Sequence, residues 1–550
     1  MNNQLSLLIK ESIYPHEYKA ESYTGIYSMH KYWSKKPFNV IRDFILRYTS
    51  PNEIVVDPFC GSGIAISESL LSGRKGVGID INPSALLISK QLISKLSLPS
   101  IEQEFEKLKS DISYKINSLY KIKRSGAELI ATHFLWQNHT IIEIWCLESG
   151  KKIVYKPEAE DINQALSFSY DKIGFFYPKQ KFFHNSRINA NSKNHIYDLF
   201  TPRNLMALSL LMDRIEQIRN IGIKEFFKFC FTSSLGQASK MVFVIKSRGK
   251  FNGKFAKEKK EVGSWVIGYW IPSEHFEINA WNCFERKYQK ILKAKKELSG
   301  LGFAVAPAKF PSDLLKDKNV MLINEPAQHA LKQFSDNFAD YVITDPPHGN
   351  RQPYLELSMM WNSWLRKRVD YQNEIVISEA RERKKDTAAY YVLLEEVFRE
   401  IHRILKPGKY FSLLFNSLND DVWIRLIMVL NSMEFRLVNI ETLAYSSNSV
   451  VQDTRRRGLK TDFILTYQKC PGNSPKEIEM ISIKQSRDEI LALISRNLGN
   501  RPQGLETYEI INIVVKDLLA RNRFFKLSEL LDFLMEEFKQ QGNKWITGAQ

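Results

Sequence analysis

The sequence predicts an α/β protein in which a mainly parallel sheet is split by a long α+β insert and followed by a small C-terminal helical domain. Three observations carry that prediction. A strand, a tight turn, a helix and a second strand run in order from 53 to 82; the parallel-sheet pattern resumes only at 319; and helical periodicity takes over after "CPGNSP" at 470–475. At 550 residues the chain exceeds what one hydrophobic core usually holds.

The first run begins with "EIVVD", a buried strand, and continues through "PFCGSG", a tight turn, "IAISESLLSG", a helix, and "KGVGIDIN", a second strand. It is a βαβ unit. "PSALLISKQLISKL" then reads as a helix, with its proline in the first turn, where the missing N–H costs nothing. Residues 1–50 form an N-terminal segment, 51–98 the first half of the sheet domain, 99–317 the insert, 318–470 the second half and 471–550 the helical domain.

In the insert, "LWQNHTIIEIWCLESGKKIVYK" (135–156) predicts a hairpin turning at "ESGK", and helices are expected at 202–218 and 226–241. "KSRGKFNGKFAKEKK" (246–260) is rich in Lys and Gly without apolar periodicity and reads as a mobile basic loop. Strands follow at 319–327 and 339–345, a helix at 388–405, the turn "KPGK" and a strand at 410–416. "RLVNIETLAYS" and "TDFILTYQK" predict a terminal antiparallel pair. At the end of the chain "LSELLDFLMEEF" places Leu530, Leu531, Leu534, Met535 and Phe538 on one helix face.

Composition narrows the function. Lys and Arg number 78 against 61 Asp and Glu, a formal charge of +17 that favours a polyanion such as nucleic acid as partner. The five cysteines form no CxxC pair, so neither a disulfide framework nor a zinc site is expected. No stretch approaches the ~18 uninterrupted apolar residues of a membrane span, and the N-terminus lacks a signal-peptide core, which predicts a soluble, cytoplasmic protein.

The first chemical constellation is Asp57-Pro58-Phe59-Cys60-Gly61-Ser62-Gly63. Gly61 and Gly63 let the backbone turn sharply and approach a ligand, and the helix that follows offers free N–H groups. Asp80 closes the next strand, where an acid can accept hydrogen bonds from both hydroxyls of a ribose. A third glycine at dinucleotide spacing is missing, which disfavours a pyrophosphate. A ligand with a carboxylate and a ribose but no phosphate is S-adenosylmethionine.

The second is Asp345-Pro346-Pro347-His348, at the carboxyl end of a strand in the same split sheet and so facing the same crevice. The prolines fix φ and remove N–H donors. Asp345 and the Pro346 carbonyl are then placed to accept the two hydrogens of an exocyclic amino group and aim its lone pair at a methyl group.

Together "DPFCGSG...GIDINPSA" and "DPPHG" resemble the amino-group DNA methyltransferases that modify adenine N6 or cytosine N4, and in particular a large adenine-specific family with an insert between the catalytic halves. "MHKYWSKKPFNVIRDFI" (29–45), "YLELSMMWNSWL" and "REIHRILKPGKYFSLLFN" extend the likeness, which covers 25–98 and 318–468 well and the insert more loosely. It implies a Rossmann-like S-adenosylmethionine-dependent methyltransferase sheet. It also implies a cofactor site made by His30, Tyr32, Trp33, Lys36, Pro37, Asp57, Pro58, Phe59, Gly61, Ser62, Gly63, Asp80, Ile81 and Asn82, and catalysis by Asp345, Pro346, Pro347 and His348. Duplex DNA with a flipped base is the implied substrate, with a restriction nuclease or another defence partner alongside.

The chain departs from the pattern twice. The cysteine-rich ribbon often found in the insert of that family is reduced to Cys146, so no metal is expected. His348 stands where the family usually has an aromatic, most often Tyr, that stacks on the extruded base; a neutral imidazole is expected to stack in its place. DNA phosphates are expected at Lys246, Arg248, Lys250, Lys254 and Lys257, and at Arg455, Arg456 and Arg457. Two alternatives share these motifs: a tRNA guanine-N2 methyltransferase, and a binding protein with a decayed site.

Overall fold

The computed structural model describes residues 17–547 apart from 247–249, 252–253, 256–259, 266–267, 416–419, 445–461, 471, 473–477, 500, 502 and 543. Among the described residues the main sheet has eight strands: β1 (Glu17–Lys19), β2 (Ile54–Asp57), β3 (Lys75–Ile79), β4 (Val320–Ile323), β5 (Ala339–Thr344), β6 (Leu405–Phe415), β7 (Phe435–Ala444) and β8 (Asp462–Lys469). Their spatial order is β1-β7-β8-β6-β5-β2-β3-β4. β6, β5, β2, β3 and β4 run parallel, β8 is antiparallel to both its neighbours, and β1 pairs parallel with β7 at the edge. The expected terminal antiparallel pair is β7 with β8; the chain passes β8 back between β6 and β7.

Alternation along the parallel strands sends side chains into two large cores, and a third, small cluster holds Cys60, Ile66, Leu70, Ile93 and Val320. Ile54 and Val56 enter one apolar cluster with Val77, Ile79 and Val342, while Val55 enters the other with Tyr341 and Ile343. Side chains buried on both faces explain why these strands read as continuous apolar runs rather than as alternating ones. Three helices flank the first half: α1 (Phe38–Tyr48), α2 (Ile64–Leu71) and α3 (Pro83–Ile93). α3 starts on Asn82, whose side chain accepts from Ser84 N at 3.2 Å, with Pro83 in the first turn.

The insert packs onto the first half rather than apart from it. Its helices α4 (Leu98–Ser118), α5 (Pro202–Glu216), α6 (Ile221–Leu235) and α7 (Ala280–Gly300) contribute Phe105, Phe227 and Tyr288 to the cluster that holds Ile88 and Leu92 of α3. Lys295 of α7 donates to the Ser94 carbonyl at 2.8 Å and so closes the carboxyl end of α3. An antiparallel sheet in the order Glu274–Ile278, Ala127–Gln137, Thr140–Glu148, Lys151–Tyr155 completes the insert.

Several expectations change in detail. The hairpin over 135–156 is a three-stranded meander, because Asn138 and His139 form a first left-handed turn (φ 47° and 71°) before Ser149 and Gly150 form the second. "KPGK" lies within β6 rather than ahead of it, with Gly408 at φ +75°. The helix expected over 226–241 begins earlier and ends at Leu235. Lys250–Phe251 pairs antiparallel with Lys254–Phe255, so that part of the basic stretch is a short hairpin.

Among the described residues after 470 there are three helices (Arg487–Gly499, Thr507–Ala520, Leu527–Glu537), and also a three-stranded antiparallel sheet in the order Leu505–Glu506, Lys544–Thr547, Phe538–Gln541. Strands of two to four residues carry too little alternation to be seen in sequence. In the last helix Leu530, Phe533 and Leu534 are buried, whereas Met535 is 65% exposed. Among the described residues no helix is long and apolar enough to cross a membrane.

Candidate active site

β2 and β5 lie side by side, but the chain leaves β2 toward β3 and leaves β5 toward β6, on opposite sides. Such a switch point opens a crevice at the strands' carboxyl ends. Asp57 ends β2 and Asp345 follows β5 directly. The Thr344 hydroxyl joins the two ends by donating to Asp57 Oδ1 at 2.7 Å.

Asp57 is fully buried, and its Oδ2 lies 3.2 Å from the buried Lys36 ammonium, which also donates to the Phe59 carbonyl at 3.0 Å. Burial opposes the charge on Lys36, but the Asp57 and Asp345 carboxylates outweigh it and hold its pKa above the ordinary value. The segment before α1 is thereby locked onto the glycine turn. Lys35 is committed too, donating to the carbonyls of Tyr27 at 2.8 Å and His30 at 2.6 Å.

In the glycine turn, Gly61 N–H donates to Asp80 Oδ2 at 2.8 Å while Asn82 N–H donates to Oδ1 at 2.8 Å. Burial lifts the Asp80 pKa to about 6 against the pull of these two amides. The glycines are required for packing as much as for a ligand. At φ +80° a Cβ on Gly63 would come within 2.7 Å of Ser89 on α3, and one on Gly61, at φ +52°, would come within 3.1 Å of the Tyr32 ring.

Around these groups lies a cleft of about 730 Å³, part of it open to solvent. Of the residues expected from sequence, Tyr32, Trp33, Lys36, Pro58, Phe59, Gly61, Ser62, Asp80, Ile81, Asn82, Asp345 and Pro347 line it. The remaining six, His30, Pro37, Asp57, Gly63, Pro346 and His348, are not among its lining residues. His30 is a core residue, held by the Thr232 hydroxyl at 3.1 Å and packed on Trp361 and Phe229; burial lowers its pKa to about 3. Pro37 caps α1, and Asp57 acts through Lys36 and Thr344.

Among the lining residues that sequence reading missed are Tyr354, Gln328 and Glu374. Tyr354 lies nearly parallel to Tyr32, with ring centroids 6.0 Å apart. Its signal was present in "YLELSMMWNSWL"; Gln328 and Glu374 had none.

His348 is not among the residues that line the cleft. Its Nε2 lies 2.8 Å from Asp345 Oδ1, and the ring packs edgewise on Phe415 at 5.5 Å between centroids. Nδ1 is buried without a hydrogen-bond partner. The Tyr390 hydroxyl donates to the Pro347 carbonyl at 2.6 Å, which occupies that oxygen and leaves the carbonyl of Pro346 for other donors.

A protein family described as DNA methylase matches residues 9–91, the stretch that builds this side of the cleft. This match and the curated relatives support a likeness to the amino-group DNA methyltransferases. Among relatives of that group, the type II methyltransferase M.MjaII of Methanocaldococcus jannaschii is 24% identical over 36% of this chain and 37% of its own length. The DNA adenine methyltransferase YhdJ of Escherichia coli is 29% identical over 18% of this chain and 33% of its own. The chain thus spans about a third of the length of these curated relatives. A solved SAM-dependent methyltransferase from Methanosarcina mazei is 13% identical and covers 28% of this chain and 70% of its own, with a TM-score of 0.16; that overlap carries no weight beside the strand order itself.

The cofactor of this methyltransferase group is S-adenosylmethionine, and the cleft suits it. Asp80 is a desolvated carboxylate able to take hydroxyl donors, and the two cleft lysines are spent on carbonyls and Asp57, so no free ammonium awaits a pyrophosphate. Of the residues expected at DNA, Lys246 is exposed and paired with Glu274 at 2.6 Å, and Lys250 and Lys254 lie in the short hairpin. Arg248, Lys257, Arg455, Arg456 and Arg457 fall outside the described residues.

Proposed function

We propose that this chain methylates the exocyclic amino group of a base flipped out of duplex DNA, adenine N6 foremost, in the cytoplasm and in a restriction-modification or phage-defence setting. One observation carries the reading: Asp345, at the end of β5, and the Asp80–Gly61 turn, at the ends of β3 and β2, line one cleft. A nucleoside held at Asp80 is within the same space as an amino group held at Asp345.

When bound, S-adenosylmethionine supplies an electrophilic methyl on a sulfonium. The protein's part is positioning. Asp80 takes the ribose, Tyr32 and Trp33 flank the cofactor, and Asp345 with the Pro346 carbonyl accepts the amino hydrogens, leaving the nitrogen lone pair directed at the donor. Such alignment is worth up to about 7–11 kcal/mol. No cysteine nucleophile is involved: Cys60, at the cleft, is buried and its thiol pKa is pushed well up by that burial.

Incubation with methyl-labelled cofactor and either duplex DNA or tRNA tests the reading. Label in DNA, followed by digestion to nucleosides, is expected to yield N6-methyladenine. Label in tRNA alone, or in neither, would remove it.

A further inference from the structure

A second cavity, of about 1250 Å³, opens in the insert, away from the residues of the cofactor cleft. Its wall is aromatic: Trp136 from the meander, then Phe168 and Tyr170. The heads of two of these rings are already bound, Trp136 Nε1 to Glu277 Oε2 at 2.8 Å and Tyr170 OH to the Phe200 carbonyl at 2.8 Å, so only apolar surface is left to offer.

The floor is a closed ion pair. Glu277 is buried and takes Arg203 through two bonds of 3.0 Å and the Thr201 hydroxyl at 2.5 Å. With its oxygens so engaged, Glu277 forms no ion pair with Lys240, which lines the same cavity and makes no side-chain hydrogen bond or ion pair among the described residues. Burial lowers the Lys240 pKa, and Asp198 and Glu277 offset that only in part. A partly desolvated ammonium with an open cavity before it is a receptor for an anion.

Its surroundings say which anion. His275 Nδ1 donates to the Pro272 carbonyl at 3.2 Å, which makes Nε2 an acceptor able to take a base amino group. The backbone of Phe276 donates to Val242 at 2.9 Å, two residues after Lys240, and Lys246, Lys250 and Lys254 follow in the sequence. Aromatic side chains along the wall and one unpaired cation, in a chain with a basic stretch a few residues on, match a nucleotide in a strand.

We propose that this cavity holds one unstacked nucleotide of the DNA strand, its base on Trp136, Phe168 and Tyr170 and its phosphate at Lys240. The proposal rests on the reading of the chain as a DNA-modifying enzyme. It adds a nucleotide site separate from the cleft in which the reacting base is placed.

The test uses the full chain and a 12-nucleotide single-stranded DNA carrying 5-iododeoxyuridine. Photocrosslinks are expected at Trp136, Phe168 or Tyr170 and are expected to be lost in Phe168→Ala. Lys240→Gln is expected to weaken binding about tenfold or more and to reduce the salt slope by about 0.7, one phosphate of a single strand. Lys240→Arg is expected to restore both, which a merely misfolded variant would not explain. Unchanged affinity and slope in Lys240→Gln, or crosslinks confined to other segments, overturn the proposal. Methyl transfer to duplex DNA is scored in parallel. Transfer without these crosslinks overturns the pocket alone, whereas crosslinks without transfer uphold the pocket and overturn the catalytic reading.

Discussion

His348 Nε2 rests 2.8 Å from Oδ1 of Asp345, on the very carboxylate that the proposed reaction needs as an acceptor. For an amino group to reach that oxygen the imidazole must swing away, and once displaced its plane is free to meet a base. His348→Phe keeps a stacking face and cannot bind the carboxylate, so its kcat/KM is expected to equal or exceed that of the parent. His348→Ala keeps neither, and should fall below the Phe variant by about 1–3 kcal/mol, the usual worth of a stacked base. Steady-state methylation of an oligonucleotide duplex measures both; equal rates for Ala and Phe would show that the ring does not face the base.

Asp345→Ala removes the acceptor and leaves the cofactor wall intact. Turnover should drop by about 10³-fold, with the dissociation constant for S-adenosylmethionine within about threefold of the parent by calorimetry, since Asp80, Gly61 and Tyr32 are untouched. Parent-like turnover in this variant would remove Asp345 from the chemistry.

Asp80 makes cofactor affinity depend on pH. Its folded pKa, lifted by burial to about 6, lies above the ordinary carboxylate value. The protonated form is therefore favoured in the empty protein, and the stability it contributes is fully present below the unfolded pKa, near 4, and is lost as pH rises through 6. Binding has the opposite sign, because ribose hydroxyls donate to the carboxylate. Affinity should be level above pH 7 and weaken toward about tenfold per pH unit below 6. Calorimetric titration from pH 5 to 8 checks it, and Asp80→Asn should bind weakly with that pH dependence gone.

Lys36 and Asp57 form a buried pair, and breaking it from one side leaves a charge without a counter-ion. Lys36→Met is expected to destabilise the fold by about 3–5 kcal/mol. Pairing it with Asp57→Asn removes the stranded carboxylate while keeping an acceptor for the Thr344 hydroxyl, so the double variant should be more stable than the sum of the single losses allows. Denaturant unfolding of the four proteins decides it: strict additivity would mean that the 3.2 Å contact contributes nothing.

What could be read in sequence follows the physics of each element. β2, β3, β5 and β6 are buried on both faces, so their apolar runs stand out, and the acids that end β2 and β5 fall where a switch point needs them. β1, three residues reading Glu17-Tyr18-Lys19, owes its place to pairing with β7 and has no local pattern. Gly63 was legible as a turn residue, but its close neighbour is Ser89, 26 positions on, which no local reading supplies. Gln328 and Glu374 reach the cleft from segments without a motif. His348 was visible as a departure, while its contact with Asp345 and Phe415 belongs to tertiary packing.

Glu374 depends in turn on the insert. Asn185 donates to Glu356 Oε2 at 2.6 Å; Arg383 bridges Glu356 and Glu374 at 2.5 Å each; and Glu374 accepts from Leu355 N–H at 3.0 Å, next to Tyr354 in the cleft. All four side chains are buried, so a loss at Asn185 is felt along the chain of bonds rather than dissipated in water. The neighbouring Arg187 holds the Asn350 carbonyl, two residues beyond His348. Asn185→Ala strands Glu356 Oε2 at a cost of about 1–3 kcal/mol. Because that oxygen lies in the segment after the Asp-Pro-Pro turn, the loss should appear as faster amide exchange over 349–383 with a lower kcat, and protection along β2 and β3 should be unchanged. If exchange quickened equally across the whole sheet, Asn185 would be serving general stability, and the insert would have no special hold on the catalytic loop.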